Sequence, residues 1–367
     1  MSAENLRHNA ALLKRLLPPK TRFLAVVKAN AYGHGLLEVA RLLEGQADLF
    51  GVHSAMEAET LLKAGVDTPI LVMGPVFSHQ FRFLNPARVH LTVTSRETLE
   101  YLRGGGFSYP LHLKVETGTN RQGVPEAEVP EALKTIKKYG LPLVGLSTHF
   151  ANIEDTTDHS YAQKQMERFE ILRTLVEREN GPLQYLHMAC SAAILLFPKS
   201  YGTLVRAGIS LYGYWPSRET KLSWIQERGS EEEVALKPVL AWKTLISQIK
   251  AVPKGAYIGY GCTHRVTRPS RIAVLPVGYF DGYDRKLSNR GMVLIRGQRA
   301  PVAGRVCMNL LMIDVTDLPE AKAGDEVTLI GRDGDEEVSA DTLAEMAGTI
   351  NYEILARLGA HIPRLVV

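Results

Sequence analysis

The chain has 367 residues, a formal net charge of +4, and 45% hydrophobic against 22% charged residues. That length suits one barrel-sized domain plus a smaller one, and so weak and scattered a positive excess argues against a nucleic-acid or anionic-membrane ligand. Three cysteines, Cys190, Cys262 and Cys307, with no CxxC spacing argue against a disulfide framework or a zinc site, leaving a reducing cytosol as the default.

The opening MSAENLRHNAALLKRLLPP predicts an amphipathic helix closed by Pro18-Pro19 and lacks the pattern of a signal peptide. No stretch approaches the roughly 20 apolar residues of a membrane helix, so a soluble, cytoplasmic protein is expected. From residue 20 onward, short apolar runs alternate with helical patterns. FLAVVK (23–28), DLFGVH (48–53), PILVMG (69–74), VHLTVT (89–94), LHLKVE (111–116), LVGLSTHF (143–150), YLHMAC (185–190) and TLVRAG (203–208) are eight candidate strands. Most are continuous apolar runs of the kind buried on both faces. A long helix is predicted from about Asp158 to Glu179.

Eight β-α units match a (β/α)8 barrel. An open doubly wound sheet is the competitor, but no G-x-G-x-x-G follows the first strand. After LKPVLAWK (236–243) the pattern changes to short alternating strands split by turns, and helical pattern returns only near SADTLAEMAGTI. The α/β chain is thus expected to hold a barrel over 1–235 and a mostly-β domain over 236–367. The charged segment between them, SRETKLSWIQERGSEEEVALKP, reads as an irregular surface connection.

Chemistry in such barrels gathers at the C-terminal strand ends. Those ends carry Lys28, His53, Lys114, His149, Cys190-Ser191 and Arg206. Clustered carboxylates and histidines of a metal site are missing, and cations and hydroxyls dominate. An anionic, phosphorylated ligand is therefore expected, with Ser191 and the amides of Ala207-Gly208-Ile209 as phosphate donors. Lys28 ends the first strand in AVVKANAYGHG (25–35). Desolvation and neighbouring cations would favour its free amine, which can form a Schiff base; a merely solvated strand-end lysine is the alternative. Lysine and phosphate together point to pyridoxal phosphate.

AVVKANAYGHG closely resembles the cofactor-lysine motif of the alanine racemase family, fold-type III pyridoxal-phosphate enzymes. HLKVETGTNRQGV (112–124), THFA (148–151), VRAGISLYG (205–213), GYGCTH (259–264), VGYFDGYDR (277–285), GRVCMN (304–309) and TINYEIL (349–355) resemble further blocks of that family in the same order. The resemblance implies racemisation of L- and D-alanine by two bases, supplying D-alanine for peptidoglycan. Lys28 would be the cofactor lysine and the base for the D-isomer, and Tyr260, from a second subunit of a homodimer, the base for the L-isomer. Arg206 would face the pyridine nitrogen and His149 would tune Tyr260. Tyr32, Ser191, Gly208, Ile209 and Tyr352 would hold the phosphate. Arg121 and the Met308 amide would bind the substrate carboxylate, Tyr279 would narrow the access channel, and Lys114 sits where many relatives carry a carbamate.

The chain also departs from the family pattern. Thr119-Asn120-Arg121-Gln122-Gly123 stands where Met-Gly-Arg-Leu-Gly is common. Cys190 replaces asparagine, Ala207 proline, Asn309 aspartate and His361 arginine. These changes fall on the substrate side, so a pocket that also admits serine is a second reading. A pyridoxal-phosphate carrier barrel is a third, and residues 240–367 with Tyr260 argue against it.

Overall fold

The computed structural model describes residues 1–230 and 232–367. All eight apolar runs form strands: β1 Arg22–Val26, β2 Leu49–Val52, β3 Ile70–Val72, β4 Val89–Val93, β5 Leu111–Lys114, β6 Leu143–Ser147, β7 Tyr185–His187 and β8 Leu204–Ala207. They pair in parallel in the order β7-β6-β5-β4-β3-β2-β1-β8. The two ends of that order meet through Thr203 N to Leu186 O (2.9 Å) and Arg206 N to Ala189 O (3.0 Å), which nearly closes the barrel. The continuous apolar reading has a simple cause. Phe23 through Val27 are all buried, because one face of each strand fills the barrel and the other meets a helix.

Helix Leu36–Leu43 presents a single apolar stripe. Leu36, Val39, Ala40 and Leu43 are its buried positions, spaced for a single face. Each such leucine contributes roughly 1.5–3 kcal/mol by leaving water. The opening helix spans Ala3–Arg15 and the long one Ser160–Asn180, both close to expectation.

The segment expected to be irregular holds a helix, Arg218–Arg228. Ser217 caps it by accepting from Thr220 N, and left-handed Gly229 ends it. Its buried residues are Thr220, Ser223 and Trp224, so only one large apolar side chain marks the face and the helical period is faint.

The chain divides into two compact units. One comprises Ala3–Ala31 and Leu36–Lys237; the other comprises Met1–Ser2, Tyr32–Gly35 and Pro238–Val367. The second unit is built of antiparallel sheets. Gln248–Val252, Ser270–Leu275 and Leu311–Asp314 form one, and a larger one centres on Met292–Ile295 and Glu326–Asp333. Two helices, Ala340–Ala347 and Asn351–Ala356, complete it.

Candidate active site

Lys28 follows β1 directly, and the backbone then does something costly. Ala29, Asn30, Ala31 and Tyr32 have φ of 55°, 54°, 52° and 53°, a left-handed turn made without glycine. Each such residue costs roughly 1–2 kcal/mol, so neighbours must hold the turn in place. Ala31 N donates to Val27 O (2.8 Å), Ala29 N to Glu57 Oε1 (2.6 Å), and Leu36 N to Asn30 Oδ1 (2.9 Å). Gly33 has φ +79°, and a Cβ there would lie 1.9 Å from Leu355 O, so only glycine fits.

The side chain of Lys28 lines a cavity of about 530 Å³ with His53, Thr92, Lys114, Arg121, Gln122, His149, His187 and Arg206 among its walls. Burial lowers the Lys28 amine below its ordinary value; Arg121 and Arg206 push the same way, against the carboxylates of Glu57 and Glu154. Lys114, which donates to Gln122 Oε1 (3.2 Å), is lowered to about 8 by burial and then by Arg206 and Arg121.

Arg206, buried on β8, is held rigidly. It donates through Nη1 to His187 Nδ1 (2.6 Å) and His187 O (2.9 Å). Nη2 reaches Thr148 O (2.8 Å), Met188 O (3.0 Å) and His149 Nδ1 (3.3 Å). Burial brings Arg206 down to about 10, so it stays charged at neutral pH. His149 is held well below the usual imidazole range, by burial first and then by Arg206 and Lys114. Its carbonyl accepts from Thr119 Oγ1 (2.7 Å) and Gln165 Nε2 (3.0 Å). Gln165 also donates to Thr117 Oγ1, which pairs with Thr148 Oγ1 at 2.8 Å.

After β7, Ser191 Oγ accepts from Gly208 N (2.9 Å) and Ser210 N (3.4 Å) at the start of the turn Ile209–Tyr212. Ser210 Oγ is buried there without a partner among the described residues. Cys190 faces Glu154 Oε1 at 3.6 Å, and burial, with that carboxylate, pushes its thiol up to about 12.

The remaining expected site residues belong to the second unit. Tyr260 sits between left-handed Gly259 and Gly261 and is 72% exposed. Tyr279 and Met308 are also exposed, on backbones tied together by Tyr279 N to Cys307 O and Phe280 N to Met308 O (both 3.0 Å). The rings of Tyr32 and Tyr352 lie 6.0 Å apart. Glu57, Gln165 and His187 escaped the sequence reading. Only Glu57 left a local signal, since Ser54-x-x-Glu57 is a capping box, realised here.

A (β/α)8 barrel with a depressed lysine amine and a buried arginine in its mouth, followed by a β-rich unit, defines a class of lysine-bearing barrel enzymes. The chain belongs to the alanine racemase family, a family of isomerases. The model of the alanine racemase N-terminal domain matches residues 1–216 and that of the C-terminal domain matches residues 239–366. The chain is 38% identical over 370 residues to an alanine racemase of Leptospira interrogans, covering 100% of this chain and 95% of that one. It is 40% identical over 375 residues to one from Carboxydothermus hydrogenoformans, covering 100% and 98%. Among solved structures, alanine racemase of Clostridium difficile 630 superimposes with a TM-score of 0.91 at 32% identity, covering 100% of this chain and 94% of that one.

Proposed function

We propose that this chain racemises alanine with pyridoxal phosphate, using Lys28 and Tyr260 as opposed bases in a homodimer that shares its active sites between copies. The observation that carries the reading is the Lys28 amine, depressed by burial and by Arg121 and Arg206, in one cavity with a charged, immobilised Arg206.

The residues fit a phosphorylated aldehyde. Ser191 with the amides of Gly208 and Ser210, and the unpartnered Ser210 hydroxyl, form a polar cradle beside a cationic mouth. Ser191, Gly208, Ile209, Tyr32 and Tyr352 would hold the phosphate. Bound there, pyridoxal phosphate supplies an electron-accepting ring that acidifies the Cα–H of the amino acid.

Lys28 removes or returns the proton on one face of Cα, and its lowered pKa raises the fraction of free amine able to do so. Tyr260 of a second copy serves the opposite face; its exposure on its own unit supports that assignment. Arg206 is donor-only, so it takes no proton from a ring nitrogen. Because Arg206 donates to Nδ1 of His149, the proton of neutral His149 sits on Nε2, free to donate to the Tyr260 oxygen and stabilise its phenolate. Arg121 and the Met308 amide would bind the substrate carboxylate, while Tyr279 narrows the channel. D-alanine for peptidoglycan, made in the cytoplasm, is the use this reading assigns.

The test combines borohydride reduction with peptide mapping and subunit mixing. A reduced adduct on Lys28 is expected. Lys28→Ala and Tyr260→Phe, each inactive alone, are expected to regain alanine racemisation when unfolded and refolded together. An adduct on another lysine, or no regain in the mixed protein, would overturn the proposal.

A further inference from the structure

Three histidines on three strands, His90 of β4, His112 of β5 and His187 of β7, join ring to ring across the barrel interior. His90 Nδ1 lies 3.0 Å from His112 Nε2, and His112 Nδ1 lies 2.8 Å from His187 Nε2. The chain ends on Arg206, whose Nη1 is 2.6 Å from His187 Nδ1.

Arginine fixes the direction of the whole chain. A guanidinium has donors only, so His187 Nδ1 accepts, and in the neutral ring the proton then sits on Nε2. That N–H donates to His112 Nδ1, which places the His112 proton on Nε2 as well. His112 Nε2–H in turn donates to His90 Nδ1, and the last proton rests on His90 Nε2. No other neutral assignment satisfies all three links. Protonating His187 or His112 would set two N–H groups against each other at a link, at a cost that burial magnifies. His112 and His187 are fully enclosed, and burial together with Arg206 holds both well below the usual imidazole range.

The barrel makes room for this chain. A Cβ at Gly145 of β6 would lie 2.5 Å from His112 Nδ1, so glycine is needed beside the ring. Tyr185 stacks on His112 with centroids 5.1 Å apart and meets His90 edge-on at 5.5 Å. Arg22 in turn lies over the Tyr185 ring at 5.2 Å. The three imidazoles are therefore packed in place from the barrel floor to its mouth.

We propose that His187, His112 and His90 are positioning residues of the reaction: as one hydrogen-bonded unit of a single tautomer they hold the Arg206 guanidinium as a fixed donor in the mouth. This rests on the reading that Arg206 faces the cofactor ring. His112 and His90 act through His187 and touch neither substrate nor cofactor.

The first measurement uses the intact cofactor-free protein carrying 15N-labelled histidine, which reads the tautomer of each ring without any turnover. His90, His112 and His187 are expected as neutral Nε2–H rings. A proton on Nδ1 of His187 or His112, or a mixture, overturns the chain. The second compares His112→Leu with His112→Gln, whose amide both accepts and donates. In His112→Leu the tautomer of His187 stays fixed by Arg206 but its Nε2–H loses its acceptor, so that proton should exchange with water at least about tenfold faster and kcat should fall about tenfold with KM within about twofold. His112→Gln, which offers an acceptor again, should restore slow exchange of the His187 Nε2–H and most of kcat. If His112→Leu keeps both the His187 Nε2–H exchange rate and the kcat of the wild type, the positioning role is wrong. If His112→Leu does not fold, the wild-type tautomers and the His112→Gln kinetics decide. A single tautomer in a wild-type protein that does not turn over alanine would overturn the role in the reaction while leaving the chain standing.

Discussion

Glu57 holds the amide of Ala29 at 2.6 Å, so the residue after the candidate cofactor lysine is fastened to the start of the next helix but one. The other oxygen of the same carboxylate accepts from His53 N (2.8 Å) and Ser54 N (3.0 Å). One side chain therefore closes a capping box and pins the left-handed turn. Glu57→Ala should lower stability by about 1–2 kcal/mol, because three backbone amides lose a charged acceptor and the capping box is broken. It should also lower the yield of borohydride-trapped cofactor on Lys28, since the turn no longer aims the amine. Urea unfolding and quantified peptide mapping check both, and wild-type trapping in Glu57→Ala would refute the second part.

Acid stability follows from the buried histidines. The folded state holds His112 well below its ordinary 6.5, through burial and then His90 and Arg206, while the unfolded chain binds the proton near that value. The stability this contributes is present above pH 6.5 and is lost as the pH falls below it, because the unfolded state then binds more protons. His149 and His187 act in the same sense, and His90, lowered to about 4, does so down to that pH. Each group adds up to about 1.4 kcal/mol per pH unit to the slope. His112→Gln should make the slope shallower by about that amount between pH 6 and 5. Urea titrations at stepped pH measure it, and parallel slopes for the two proteins would contradict the account.

The contrast between these two residues and the rest of the site shows what the chain makes legible. The eight strands announced themselves because buried parallel strands need unbroken apolar runs, as in Phe23–Val27. Lys28, His149 and Arg206 stood out because polar residues interrupt those runs at strand ends. His90 and His112 are also polar residues inside apolar strands, but their links to each other and to His187 join β4, β5 and β7, and no local spacing encodes them. The helix Arg218–Arg228 stayed hidden for the opposite reason: it buries too little apolar surface to imprint a period.

Lys114 gives a prediction about modification. With its amine lowered to about 8, about a tenth is neutral at pH 7, against well under a thousandth for an ordinary lysine. Only the neutral amine adds carbon dioxide to form a carbamate, which could pair with Arg121 in the same cavity. Native mass spectrometry in bicarbonate should show an increment of one carbon dioxide, growing as the pH rises from 6 to 8 and absent in Lys114→Met. An unchanged mass across that range would remove the carbamate from the proposed site.

Substrate breadth turns on Thr119 and Gln122. The Thr119 hydroxyl spends its proton on His149 O, but its oxygen can still accept. Gln122 Oε1 accepts from Lys114, which leaves the amide N–H groups of this cavity-lining residue to donate. Serine differs from alanine by one hydroxyl, and burying it unsatisfied costs about 1–3 kcal/mol, or roughly 5- to 150-fold in rate. A donor and an acceptor near the cavity keep that penalty at the low end. L-serine is therefore expected to racemise with kcat/KM within about tenfold of L-alanine. Gln122→Leu removes the donor, and should widen the ratio by about tenfold or more while leaving alanine turnover nearly unchanged. Chiral chromatography of both products measures the two ratios. A serine rate below about a hundredth of the alanine rate in the unaltered protein would mean that the polar residues at 119 and 122 face away from the substrate side chain.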